Sequence, residues 1–135
     1  MLMTYGRVYV AQVAMGADAA QLVKAMHEAE SFRGPSVIIA YAPCQSHGLR
    51  CGMAKVQDEM KRAVDAGYWH LYRYNPDATP AFQLDSRKPS LEYESFLDGE
   101  VRYASLKRTF PEHAQTLFAE GARLAEERYE KLKNM

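Results

Sequence analysis

The segment between Arg7 and Tyr41 constrains the fold more than any other, because it reads as strand, helix, strand. Arg7 to Val13 carries Val, Tyr, Val and Val in rough alternation and closes on Met15-Gly16, the pattern of a short strand ending in a glycine turn. Asp18 with Gln21 three residues later is a helix-capping pattern, and Leu22, Val23, Met26 and Ala29 follow at helical spacing until Gly34-Pro35 stops the segment. Ser36 to Tyr41 is a continuous β-branched run, too short for a helix and apolar on both faces, which predicts a central parallel strand covered by helices on each side. One βαβ unit commits the chain to the α/β class.

Beyond it, Pro43 to Gly52 is loop-like. Met53, Val56, Met60, Ala63 and Val64 trace a second helical stripe that stops at Gly67, a natural left-handed cap. Tyr68 to Tyr74 resumes as an aromatic-rich strand, and Asn75 to Pro89, with Pro76, Pro80 and Pro89 and no periodicity, is expected to be an extended crossing loop. From Ser90 the pattern is helical only: one helix from Leu91 to about Arg108, then, with Pro111 in its first turn, a second from Glu112 to Lys133 whose stripe is Ala114, Leu117, Phe118, Gly121, Ala125 and Tyr129. Met1 to Gly6 offers neither cap nor turn, so the chain is expected to enter a fold already under way.

Composition narrows the function. With 135 residues and 47% of them apolar, the chain can bury one real core. Seventeen basic residues balance 17 acidic ones, so no net field draws in nucleic acid or an anionic membrane. The longest apolar run, Val37 to Ala42, is too short for a bilayer, and no signal peptide is visible; the expectation is a soluble, cytoplasmic protein with no membrane or nucleic-acid partner. The only cysteines, Cys44 and Cys51, are too few for a disulfide framework and are expected to be reduced thiols.

Cys44, His47 and Cys51 admit three readings from the residues alone. They are thiols and a solvent-facing imidazole in a loop; or three ligands for zinc with one position open; or a Cys44 nucleophile with His47 as its base. His27 and His113 lie at exposed helical positions, and Tyr68, Trp69, Tyr72 and Tyr74 are expected to be core and interface rather than a stacking platform.

Four blocks carry a resemblance: Tyr5-Gly-Arg-Val-Tyr-Val-Ala-Gln-Val-Ala-Met-Gly16, Gly34-Pro-Ser-Val-Ile-Ile-Ala-Tyr-Ala-Pro-Cys44, Ala66-Gly-Tyr-Trp-His-Leu-Tyr-Arg-Tyr-Asn-Pro76 and Phe82-Gln-Leu-Asp-Ser86. In this order and spacing they resemble the C-terminal part of the thiamine-diphosphate domain of the pyruvate:ferredoxin (flavodoxin) oxidoreductases, and Gly99-Glu-Val-Arg-Tyr103 and Phe110-Pro111 extend the likeness over essentially the whole chain. The resemblance implies a partial parallel sheet of βαβ type over 1–89, half of a thiamine-diphosphate-binding domain, followed by a helical C-terminal arm over 90–135.

It also implies thiamine diphosphate, magnesium, [4Fe-4S] clusters and coenzyme A in the parent enzyme. The family's Gly-Asp-Gly motif is absent here, since Asp98-Gly99-Glu100 lacks the first glycine and the strand context, so the chain alone is expected to hold no cofactor and to be inactive. Cys44 alone carries over, as the fourth thiolate of the cluster next to the thiamine; its three companions lie in a stretch this chain does not contain. Cys51 stands where a small residue such as Gly is expected and receives no role.

Two functions follow as expectations. One is a fragment of an enzyme that oxidatively decarboxylates pyruvate to acetyl-CoA and passes electrons through iron-sulfur clusters to ferredoxin or flavodoxin, with the rest of the parent polypeptide and a second copy as partners. The other is a non-catalytic module that docks on other subunits.

Overall fold

The computed structural model describes residues 1–135. Its sheet has four strands, β1 (Tyr9–Val13), β2 (Ser36–Ala40), β3 (Tyr72–Tyr74) and β4 (Phe82–Leu84), in the order β2-β1-β3-β4. The α/β class is as expected, with one parallel pair: β1 and β2 run parallel from Tyr9↔Ser36 to Val13↔Ala40, whereas β3 joins β1 antiparallel and β4 joins β3 antiparallel. The sheet is therefore mixed: β3 enters antiparallel to β1 after α2, and the short return from β3 to β4 has no room for the crossover that parallel pairing needs.

The central strand is β1, in which Tyr9, Val10, Ala11 and Val13 are all at most 2% exposed. The Val-Ile-Ile run expected to be central is the sheet's edge: Ser36, Ile39 and Ala40 of β2 are exposed and its outer backbone groups have no neighbouring strand. In the stretch expected to be loop, Phe82–Leu84 forms β4, and Tyr72 and Phe82, diagonal neighbours on adjacent strands, have ring centroids 5.4 Å apart.

Helix α1 (Ala19–Ser31) begins where Asp18 requires, its carboxylate accepting the Gln21 N–H at 2.8 Å. Its buried face differs from the expected stripe, since Gln21 and Ala25 point inward while Val23 and Met26 are 66% and 56% exposed. The cause is Gln21, whose amide donates to Asp85 at 3.0 Å and so turns a polar residue toward the sheet. Leu22 and Ala29 pack as expected, beside Tyr9, Ala11 and Val13 of β1.

A 3-10 turn (Met53–Lys55) leads into α2 (Val56–Asp65), which ends at Gly67 with φ of +72°. The single helix expected over Leu91–Arg108 is two, α3 (Tyr93–Leu97) and α4 (Val101–Thr109), broken at Asp98-Gly99-Glu100. Gly99 sits at a close approach, for a Cβ there would lie 2.7 Å from both Arg62 Nη1 and Glu59 Oε1. Helix α5 (Pro111–Lys133) buries Ala114, Phe118, Ala125 and Tyr129, but Leu117, expected in that stripe, is 57% exposed because the other helices cover only part of its face. The larger core joins the carboxyl ends of β1 and β2 to α2, α3 and α5 through Ala14, Tyr41, Met60, Phe96 and Phe118. No helix is long and apolar enough to cross a membrane.

Candidate functional site

The chain leaves β2 at Ala40 and turns at the carboxyl end of the parallel pair, the place where α/β sheets gather ligands. Tyr41 roots this turn: it is 8% exposed, its ring lies 5.5 Å from that of Trp69, and its hydroxyl donates to Glu100 Oε1 at 3.1 Å. Burial first, and then Glu100, raise the Tyr41 pKa, so the hydroxyl keeps its proton and remains a donor. Pro43 is buried next to it, and Cys44 emerges partly exposed.

Cys44 Sγ lies 3.0 Å from His47 Nδ1, and the Gly48 N–H donates to the Cys44 carbonyl at 2.9 Å, closing the turn that holds the two side chains together. The hydrogen bond from His47 pulls the Cys44 thiol down to about 7, so a large share is thiolate at neutral pH. Cys51 stands apart, exposed, with only a weak 3.8 Å contact to the Gly52 carbonyl. No group of three or more His, Cys, Asp or Glu side chains is placed to hold a metal, so Cys44, His47 and Cys51 are not assembled into a zinc site. The Cys44–His47 pair is assembled, at the separation that a nucleophile with its base requires.

Four buried polar residues were not singled out from the sequence. Arg73 of β3 is 5% exposed and donates to Asp85, Gln83 and Glu28. Glu59 and Glu100 are 1% and 0% exposed, and each leaves one carboxylate oxygen without a hydrogen-bond partner. Glu100 is pushed up by burial, against the Tyr41 hydrogen bond. His70, 1% exposed, has no protein partner at either ring nitrogen and is held below its usual range by burial and then by Arg128. An Asx-type turn or a glycine can be read locally, but a buried charge looks like a surface charge until its partners are known. Only Gly99, beside Glu100, carried a local signal.

His27 and His113 are exposed, as expected. Of the strand expected over Tyr68–Tyr74 only Tyr72–Tyr74 is one; Tyr68 and Trp69 lie in the bend before it and serve the core, Trp69 Nε1 donating to the Val13 carbonyl at 3.0 Å and the Tyr68 and Tyr103 hydroxyls meeting at 2.9 Å.

No family model matches the chain. Whole proteins do. Over all of its length it is 52% identical to a pyruvate-flavodoxin oxidoreductase of Enterobacter agglomerans and 52% identical to a pyruvate:ferredoxin oxidoreductase of Moorella thermoacetica. It is also 43% identical over its length to a mitochondrial pyruvate dehydrogenase [NADP(+)] of Euglena gracilis. The chain spans only 12%, 12% and 8% of these relatives. The resemblance carried by the four sequence blocks is therefore borne out along the whole chain, as a segment of much larger enzymes.

Proposed function

We propose that this chain, which corresponds to a small segment of a pyruvate oxidoreductase, presents the Cys44 thiolate as one ligand of a [4Fe-4S] cluster in the electron path of that enzyme. The observation that carries this reading is the place of Cys44, partly exposed beside His47 at the carboxyl end of the β1–β2 pair. A four-iron cluster takes four thiolates, and Cys44 fits one of those places by donor type, protonation and exposure. When bound, such a cluster supplies one-electron transfer. Cys44 supplies the soft ligand, the turn closed by Gly48 fixes its direction, and Tyr41 and Pro43 hold the turn on the core.

The names of the three relatives share pyruvate and differ in acceptor, namely flavodoxin, ferredoxin and NADP(+). A segment found with all three belongs with oxidation of the substrate rather than with choice of acceptor. In this reading residues 1–89 complete a thiamine-diphosphate-type α/β domain and 90–135 form its helical arm. Thiamine diphosphate, magnesium and coenzyme A are held by the rest of the polypeptide, since no Gly-Asp-Gly cradle occurs here. The enzyme is cytoplasmic and passes electrons to ferredoxin or flavodoxin.

The test is Cys44→Ser in the complete oxidoreductase, followed by iron content and low-temperature EPR after reduction. One cluster signal is expected to vanish or change type while thiamine binding persists; an unchanged set of signals overturns the reading. The 135-residue chain alone is expected to turn over no pyruvate and to keep no stable cluster after anaerobic iron and sulfide treatment, because Cys44 and Cys51 offer at most two thiolates.

The docking reading keeps one specific support, the unpaired edge of β2 with Leu117 and Leu124 exposed on α5. A dimer or larger species by light scattering at micromolar concentration is the expected result. A monomeric mass with no binding of a hydrophobic dye would remove that support.

A further inference from the structure

The break between α3 and α4 meets the Cys44 turn from both sides. Three residues before Cys44, the Tyr41 hydroxyl donates to Glu100 Oε1 at 3.1 Å. Five residues after it, Leu49 forms a β-bridge with the same Glu100. The Arg50 N–H donates to the Gly99 carbonyl at 3.0 Å, and the Val101 N–H donates back to the Gly48 carbonyl at 3.4 Å. Tyr41, Leu49 and Glu100 are 8%, 6% and 0% exposed, so the ties among these three are shielded from competing water.

Glu100 is the N-cap residue of α4, yet its side chain makes no cap hydrogen bond there and turns to Tyr41 instead. Glu100 sits in the interior with Oε2 lacking a hydrogen-bond partner and Arg102 Nε 3.8 Å away, an arrangement costlier than an apolar side chain of the same size. Such a cost is retained where the group fixes geometry. We infer that Glu100 is a positioning residue: through its side chain on Tyr41 and its backbone on Leu49 it clamps both roots of the turn and so sets where the Cys44 sulfur stands. The inference rests on Cys44 being a cluster ligand only for its consequence; the clamp itself concerns this chain's own atoms.

The experiment uses the complete oxidoreductase stripped of metal, and reads peptide-resolved amide hydrogen exchange together with cluster EPR after reloading. Tyr41→Phe deletes the donor and keeps the ring, Glu100→Gln keeps an acceptor for Tyr41, and Glu100→Ala removes it. Exchange across 44–52 is expected to quicken about tenfold in Tyr41→Phe and Glu100→Ala, the effect of losing one shielded hydrogen bond, with β1 and α2 unchanged and Glu100→Gln close to the parent. After reloading, Tyr41→Phe is expected to shift the EPR line shape of one cluster, the one that Cys44→Ser abolishes. Unchanged exchange over 44–52, or equal quickening everywhere, overturns the clamp. If Glu100→Ala fails to fold, Tyr41→Phe decides. Local quickening with every cluster signal intact in Cys44→Ser leaves the clamp standing and refutes the ligand reading alone.

Discussion

The two sides of the sheet treat buried charge in opposite ways. Under α1, Arg73 is fully engaged: it binds Asp85 through two nitrogens at 2.9 Å and reaches Glu28 and Gln83, while the Tyr9 hydroxyl donates to Glu28 at 2.9 Å. Only Gln21 Oε1 is left without a partner there. Under α2 to α5, Glu59, Glu100, Arg102 and His70 all retain buried atoms with no hydrogen-bond partner. A saturated network stiffens and specifies, whereas an unsatisfied one spends stability and marks a region shaped by something other than stability. The Cys44 turn is rooted on the unsatisfied side.

The largest expected effect tests the saturated side. Arg73→Leu strands the Glu28 and Asp85 carboxylates and is expected to cost about 3–5 kcal/mol in urea unfolding, whereas a loss below about 1 kcal/mol would show that water takes over the guanidinium's role. The His70 test follows, and its sign is set by burial. The folded-state pKa lies below the ordinary 6.5, so the unfolded chain takes up the proton first. Stability is therefore full above the ordinary 6.5 and declines as pH falls through and below it, and His70→Leu is expected to flatten the decline. A decline of equal slope in the variant would assign it to other groups.

Gly99→Ala probes the crowded break between α3 and α4. Its new methyl meets the buried Glu59 carboxylate, and about 1–3 kcal/mol is expected to be lost by thermal or urea unfolding. The smallest effect returns to α1, where Asp18→Ala removes the cap on the Gln21 N–H at a cost of about 1 kcal/mol, read as a lower urea midpoint. If Gly99→Ala cost nothing while Asp18→Ala cost this much, the helical side would be looser than its burial suggests.

What could be read from sequence was whatever depends on neighbours along the chain. Asp18, Gly67 and Pro111 declared the ends of α1, α2 and α5, because caps act within one turn. The β2 run was placed at the centre because apolar side chains report what covers a strand's faces, and nothing in them reports whether its edges are paired. β4 escaped because three residues are too few for a period to show. Cys44 was named for its place in a block of residues; its pairing with His47 needed the Gly48 turn to be seen closed. Arg73, Glu100 and His70 were invisible because the residues that pair with or bury them lie far along the chain, and Glu59, though paired with Arg62 one turn on, because nothing local reports its burial.

Trp69 is the chain's single tryptophan, and it stands where the sheet meets the helices, with its indole N–H on the Val13 carbonyl and its ring against Tyr41. Its fluorescence therefore has one source and one address. Because Tyr41 is the root of the Cys44 turn, any event that lifts the turn from Glu100 also changes the polarity and the tyrosine quenching around that indole. The molecule carries its own optical gauge of that contact, readable in nanomoles of material without a label.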